Sequence, residues 1–191
     1  MQLKDITFVI PTNKSEVKTV KSIPKECSIV ECREYTQGKA RNEGVKKSRT
    51  EWIAFADDDI KFTPEFLAYV IQLANNNPNS IIGLQGYSPS PYLISRFMLF
   101  KRSVYDDVGA LKEVRHGEET EWCIRATKKG YKLIAIPRES VYHYPHEKGK
   151  FKNEIKLIIW LLSLHPDLII RGIKKVIYKV RKSSDDIEYQ S

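Results

Sequence analysis

Three consecutive carboxylates, Asp57-Asp58-Asp59, directly follow the apolar run from Trp52 to Ala56. A short apolar run with aromatic and β-branched residues predicts a buried strand, and ligands bind beyond the carboxyl ends of strands in open α/β sheets. Like charges placed side by side favour a nearby cation, and carboxylate oxygens suit Mg²⁺ or Mn²⁺. The triplet therefore predicts either a divalent metal site or a solvated acidic turn, and alone it does not decide between them.

A second group of acids, Glu118 and Glu119, follows Gly117 at the start of a predicted helix that runs to a C-terminal Gly130. The positive end of the helix dipole favours an ionised carboxylate in the first turn. Such a carboxylate suits general base catalysis, in which a positioned side chain removes a proton from the substrate. Ordinary placement of acids at a helix N-terminus would give the same pattern, so two interpretations stay open.

Alternating strand and helix patterns in the first third of the chain predict the framework that holds these acids. Such alternation favours a parallel sheet with right-handed crossovers and helices on its faces. Predicted strands cover residues 6–10, 27–32, 52–56, 80–84, 97–100 and 133–136, with a further extended piece at 141–146. Predicted helices cover residues 16–23, 40–48, 63–74, 104–108 and 118–129.

The composition is that of a soluble globular domain, with 191 residues of which 41% are hydrophobic and 29% charged. A net charge of +8 suits a partner with phosphates, such as a nucleotide, a nucleic acid or an anionic lipid. The three cysteines lack zinc-site spacing, which favours reduced thiols. The sequence shows neither a signal-peptide pattern nor an apolar run near the roughly 20 residues of a membrane span. We therefore expect a cytoplasmic protein.

The last part of the chain is strongly basic, with nine Lys or Arg residues and two acids between Lys150 and Lys182. Apolar residues beyond Pro166 recur at helical spacing, with basic residues on the opposite side. A basic amphipathic helix of this kind binds anionic membrane surfaces, which would make the protein peripheral at the inner face of the membrane. Packing of the helix on the core or on a second subunit is the alternative. Residues 183–191 are expected to be disordered.

Taken in order, four stretches resemble glycosyltransferase family 2, a group of inverting sugar transferases with the GT-A fold. The matching stretches are the first strand with residues 10–13, residues 38–44 leading into 52–59, residues 101–109, and residues 117–121 followed by Arg125 and 130–132. They span residues 5–145 in the order that the family shows. Each stretch alone is weak evidence for the resemblance, but the ordered set of four is specific to the family.

The resemblance implies a role for each matching position. The positions that match the donor nucleotide site are Pro11, Thr12, Glu31, Lys39, Arg41, Asp57 and Asp58. The positions that match ligands of Mn²⁺ or Mg²⁺ are Asp57, Asp59 and His143. Glu119 matches the catalytic base, with Glu118 directly before it. Lys39 and Arg41 could instead be plain surface charges, and His143 could be a structural histidine.

The fold implied by the resemblance is a Rossmann-like α/β domain of the GT-A type, with a mostly parallel central sheet flanked by helices. We assign residues 1–149 to this catalytic domain, 150–182 to a basic helical extension and 183–191 to a disordered tail. The expected donor is a UDP- or GDP-sugar. The expected acceptor is a saccharide, a lipid-linked molecule or a protein. The Gln-x-x-Arg-Trp motif of processive synthases is absent from the sequence, which favours transfer of a single sugar.

Two other functions are alternatives to sugar transfer. A nucleotidyltransferase on a similar sheet would carry a Gly-rich loop after the first strand, where this chain has Pro11-Thr12-Asn13-Lys14. A basic module that binds nucleic acid or membrane without catalysis would carry its charge around a reader motif, whereas much of the charge lies in the tail. We therefore expect no nucleic-acid partner.

Overall fold

A computed structural model describes residues 1–34, 36–86, 92–114, 116–145 and 152–168. The chain divides into two compact units, Met1–His146 and Glu147–Ser191. The strands are β1 Ile6–Pro11, β2 Ser28–Cys32, β3 Trp52–Ala56, β4 Ile60–Lys61, β5 Ser80–Gln85, β6 Leu93–Lys101, β7 Lys132–Ile136 and β8 Tyr142–His143. The α-helices are α1 Gln37–Lys47, α2 Pro64–Asn76, α3 Arg102–Val108, α4 Glu118–Lys128 and, in the second unit, α5 Lys152–Leu164.

The central sheet of the first unit has six strands in the order β2-β1-β3-β6-β5-β7. Strand β1 pairs in parallel with β2 and β3, and β5 pairs in parallel with β7. Strand β6 runs antiparallel to both of its neighbours, β3 and β5. The predicted mostly parallel sheet flanked by helices is therefore confirmed. Its order places the carboxyl ends of β1 and β3 side by side.

Each face of the sheet is covered by its own hydrophobic cluster, because successive side chains of a strand point to opposite faces. Phe8 on β1 belongs to the cluster that includes Phe66 of α2. Its neighbour Val9 belongs to the other cluster, which includes Val45 of α1 and Trp122 of α4. Helices on both faces thus hold the sheet edge from which the acidic triplet emerges.

Residues 16–23 were predicted as an α-helix, but the structure has a 3₁₀ helix at Lys18–Ser22 instead. The reason is that this segment bonds to the turn after β3 and not only to itself. The Lys18 amide donates to the Asp58 carbonyl at 3.0 Å, and the Thr19 hydroxyl donates to the Asp57 carbonyl at 2.6 Å. The Ile60 amide in turn donates to the Thr19 hydroxyl at 3.0 Å.

A small second sheet, which the sequence pattern did not reveal, joins β4 to β8 in antiparallel pairing. Ile60 pairs with His143, so the late histidine comes next to the turn that carries the acids. Strands of two residues are too short to show period-two alternation. Gly130 lies one position after the C-cap Lys129 of α4, with a positive φ of 91° that suits glycine.

The part of the predicted basic extension beyond residue 168 lies outside the described residues, as does the predicted disorder of 183–191. Within the described part, α5 exposes the side chains of Ile158 and Ile159 to solvent. Among the described residues, no helix is both long enough and apolar enough to cross a membrane.

A buried group of hydrogen-bonded side chains joins α1, the turn after β3 and α4. Arg41 on α1 is 0% exposed, and its guanidinium donates to Glu118 on α4 and, at 2.9 Å, to Asp57 Oδ1 after β3. Glu118 is also fully buried, and its Oε2 has no hydrogen-bond partner in the described part of the chain. Burial raises the pKa of Glu118 from 4.5 to about 8; the charge of Glu119 acts in the same direction and that of Arg41 opposes it.

Replacing Glu118 with Gln should remove a pH dependence of stability. Because the folded-state pKa lies above the unfolded one, the folded protein holds a proton between about pH 4.5 and 8 that the unfolded chain has released. Stability from this group is therefore present at low pH and lost as the pH rises through this range. We expect the melting temperature of the wild type, relative to that of Glu118→Gln, to fall between pH 5 and pH 8. A Glu113→Gln control at an exposed site should show no such trend, and a constant difference for Glu118→Gln would contradict the assignment.

Helix α1 lies close to β1 because Gly44 has no side chain. A Cβ at this position would overlap the side chain of Val9, which is fully buried. We expect Gly44→Ala to lower the free energy of unfolding by about 1–3 kcal/mol, the usual cost of overpacking a core. Urea denaturation measures the change, with exposed Lys47→Ala on the same helix as control. Ala is more favourable than Gly inside a helix by up to about 1 kcal/mol. If Gly44→Ala were as stable as the wild type or more stable, the overlap with Val9 would have been relieved by small shifts, which would contradict the prediction.

Candidate active site

A cavity of about 440 Å³ opens at the carboxyl ends of β1 and β3, the edge at which open α/β sheets bind ligands. Its size falls within the range of small-molecule sites, roughly 300–1,000 Å³. The residues that line it come from the end of β1, the start of α1, the acidic triplet, β6, the approach to α4 and β8. They are Pro11, Thr12, Asn13, Lys14, Glu34, Gln37, Ala40, Asp57, Asp58, Asp59, Arg96, His116 and His143.

Each carboxylate of the triplet contacts a different set of side chains. Asp58 accepts hydrogen bonds from Thr12 Oγ1 and Lys14 Nζ, both at 2.6 Å. Asp59 lies 3.2 Å from His143 Nε2 and 3.5 Å from Lys14 Nζ. Asp57 is held by the buried Arg41. The three acids therefore do not form an equivalent set, although they are consecutive in sequence.

The main chain of the triplet is fixed from both sides. The Asp57 amide donates to the Arg96 carbonyl at 3.0 Å, which ties the turn to β6. The Asp59 carbonyl accepts from the Tyr144 amide at 2.9 Å, which ties it to the residue after β8. Together with the bonds from the 3₁₀ segment, these contacts hold the acids in place before any ligand arrives.

Asp59 and His143 are the residues that best fit a divalent cation. Their side chains face each other across 3.2 Å on the wall of the cavity, and a carboxylate with an imidazole suits Mn²⁺. In the described part of the chain, no three His, Cys, Asp or Glu side chains are grouped as a metal site would group them. Asp57 and Asp58 are instead bonded to Arg41 and Lys14.

Six of the residues predicted from sequence line the cavity, and five do not. Those that line it are Pro11, Thr12, Asp57, Asp58, Asp59 and His143. Among the others, Glu31 is exposed and lies 3.5 Å from Arg33, and Lys39 is exposed and lies 3.1 Å from Glu34. Arg41 is buried beneath the acids rather than at the cavity surface.

The two acids at the start of α4 differ sharply in environment. Glu118 faces the core, where its carboxyl group accepts a hydrogen bond from Arg41. Glu119 is half-buried in the same helical turn. Neither lines the cavity, but His116, three residues before Glu119, does. The N-terminus of α4 therefore lies next to the cavity, and of the two acids Glu119 is the one that is not enclosed.

Several lining residues were missed by sequence reasoning, for different reasons. Lys14 lies two residues after the predicted Thr12, so its position after β1 was a usable signal. Its pKa is raised: burial opposes ionisation, but the hydrogen bond and charge of Asp58 outweigh it. Arg96 and His116 reach the cavity only through strand order and helix packing. No local pattern marks either of them.

Similarity to solved structures supports the architecture. The mannosyltransferase PcManGT from Pyrobaculum calidifontis, in complex with GDP-Man and Mn²⁺, matches with a TM-score of 0.57 at 12% identity, over 70% of this chain and 55% of that one. The catalytic domain of Drosophila β1,4-galactosyltransferase 7, in complex with xylobiose, matches with a TM-score of 0.58 at 12% identity, over 78% and 77%. TarS 1–349 from S. aureus, in complex with UDP-GlcNAc, matches with a TM-score of 0.57 at 12% identity, over 78% and 60%.

At these identities the similarity shows the fold alone, and the chain spans little more than half of the mannosyltransferase, 55% of its length. No curated protein matches the chain by sequence. The model of the family described as "Glycosyl transferase family 2" matches residues 15–101. This range contains helix α1 and the whole acidic triplet. The chain therefore resembles glycosyltransferase family 2, as its sequence predicts, and it has the GT-A fold.

Proposed function

We propose that this protein is a glycosyltransferase that moves one sugar from a nucleoside-diphosphate sugar to an acceptor hydroxyl group. The observation that carries the proposal is the cavity at the carboxyl ends of β1 and β3, where the acidic triplet and His143 meet. The cavity lies in a GT-A fold, and the triplet lies in the stretch that matches the family.

The donor is proposed to be a UDP- or GDP-sugar. Two proteins of similar fold were solved with such donors, the mannosyltransferase with GDP-Man and TarS with UDP-GlcNAc. In this chain Thr12 and Lys14 lie on the cavity wall after β1, and Arg96 adds a second positive charge on β6. These groups suit the phosphates of a nucleotide, and the volume of about 440 Å³ suits a ligand of that size.

Asp59 and His143 would hold Mn²⁺ or Mg²⁺, with Asp57 as the third candidate ligand. A bound divalent ion would neutralise the charge that develops on the leaving diphosphate. Arg41 fixes the Asp57 carboxylate through its Oδ1, so this side chain keeps one orientation toward the cavity. The proposal is supported by the solved mannosyltransferase and by a Drosophila galactosyltransferase 7 mutant complex, which both contain manganese.

Glu119 is proposed to act as the general base that removes the proton of the acceptor hydroxyl group. It occupies the first turn of α4, where the helix dipole stabilises the ionised carboxylate. The buried pair of Arg41 with Glu118 anchors this turn to Asp57, so the base and the acidic triplet keep a fixed separation. Attack by the activated hydroxyl at the anomeric carbon inverts its configuration, and no covalent sugar–enzyme intermediate is needed.

The acceptor remains a prediction from the sequence, as a saccharide, a lipid-linked molecule or a protein. The xylobiose bound to the Drosophila catalytic domain supports the first of these classes. Binding of residues 150–182 to an anionic membrane surface also stays a prediction, favoured by the basic sequence and by the exposed Ile158 and Ile159 of α5.

Replacing Asp59 with Asn should weaken Mn²⁺-dependent binding of UDP or GDP by about ten-fold or more, because the substitution removes a charged ligand and keeps the side-chain size. Isothermal titration with and without Mn²⁺ measures the effect. Asp106→Asn, at an exposed position of α3, removes the same charge and should bind like the wild type. Unchanged Mn²⁺-dependent binding in Asp59→Asn would exclude Asp59 as a metal ligand.

Replacing Glu119 with Gln should lower the rate of sugar transfer by about 10²–10⁴-fold, the usual contribution of a general base. Donor affinity should stay near the wild-type value, because Glu119 does not line the donor cavity. The rate is measured by release of the nucleoside diphosphate at saturating donor. Glu113→Gln, at an exposed site before α4, is the matched control. A Glu119→Gln rate within a few-fold of the control would show that another group takes the proton.

A further inference from the structure

Lys14 stands out among the lining residues because its ammonium group lies between two members of the acidic triplet. Nζ is 2.6 Å from Asp58 Oδ1 and 3.5 Å from Asp59 Oδ2. Both carboxylates are largely shielded, with 11% and 17% of their side chains exposed. Since neighbouring carboxylates repel each other, the ammonium group offsets part of the repulsion between Asp58 and Asp59.

We propose that Lys14 is a built-in counter-cation of the acidic triplet, and that a divalent cation must displace its ammonium group from the place between Asp58 and Asp59 in order to bind to Asp59. The inference rests on the proposed function in one respect, namely that the triplet and His143 form the metal end of the donor site. The new element is that the metal exchanges with the ammonium group of Lys14, a residue that is not among the predicted metal ligands.

The loop around Lys14 is held in a way that leaves only its side chain to move. Its amide donates to Thr12 Oγ1 at 3.1 Å, and its carbonyl accepts from Arg33 Nη1 at 2.8 Å. The side chain itself is 49% exposed. A half-exposed ion pair contributes little net free energy, so the ammonium group can leave the carboxylates without disturbing the fold.

Arg41, which neutralises Asp57, cannot play the same part. Its guanidinium is 0% exposed and also bonds to Glu118. Removing it from Asp57 would leave a buried charge with an incomplete set of partners, which is costly. His143 contacts Asp59 but is itself a candidate ligand for the metal. Of these three groups, Lys14 is the one that competes with the metal without being able to bind it, since an ammonium group has no acceptor.

The test is the affinity of the full-length protein for Mn²⁺ alone, measured by electron paramagnetic resonance of free Mn²⁺ at constant pH and low salt. Lys14→Met removes the charge and keeps the side-chain length. We expect it to bind Mn²⁺ about three- to ten-fold more tightly than the wild type. The reason is that the two partly exposed contacts of Lys14 with Asp58 and Asp59 no longer compete with the metal. Lys14→Arg keeps the charge, so it should bind Mn²⁺ close to the wild-type value.

Lys21→Met is the matched control, because Lys21 is exposed and pairs with Glu16 outside the cavity. It removes the same charge from the same part of the chain and should leave Mn²⁺ affinity unchanged. Equal Mn²⁺ affinity in Lys14→Met and the wild type, equal tightening in Lys21→Met, or no Mn²⁺ binding by any of these proteins would overturn the proposal. The measurement contains no donor sugar, so its result is separate from the rates that test sugar transfer.

Discussion

The buried guanidinium of Arg41 is the interaction on which the rest of the site depends. It lies beneath the cavity and bonds at once to Asp57, after β3, and to Glu118, at the start of α4. A buried charge is tolerated only when its partners are in place. Helix α1, the acidic turn and α4 must therefore adopt their positions together. The same contact places Glu118 in the core. Glu119 is then the acid in the first turn of α4 that is not enclosed.

Above this buried pair, the three acids of the triplet are contacted from different directions. Arg41 comes from α1, Lys14 from the loop after β1, and His143 from β8. Three adjacent acids at a strand end would otherwise repel one another. Each acid therefore has different partners. Asp57 bonds to the buried Arg41, Asp58 accepts from a hydroxyl group and an ammonium group, and Asp59 faces the imidazole of His143. A cavity wall built this way is held in position by the protein's own side chains.

The sequence was sufficient for the sheet and for the acids, because both rest on local patterns. The apolar run before Asp57 and the strand–helix alternation predicted the central strands and the edge where the cavity opens. The contributions of Arg96 and His116 could not be predicted, since they depend on β6 lying beside β3 and on the placement of α4. The 3₁₀ segment was mistaken for an α-helix because its apolar spacing is helical, whereas its backbone bonds go to the neighbouring turn.

The pairing of β4 with β8 has a consequence for the order in which the protein is made. Ile60, close behind the acidic triplet, pairs with His143, and the Asp59 carbonyl bonds to the Tyr144 amide. During synthesis, β1 and β3 can associate early, but the wall formed by His143 has to wait until the chain has emerged beyond Tyr144. Until then the cavity lacks the wall to which His143 contributes. The described wall of the cavity is therefore completed by β8, the last of the described strands to emerge.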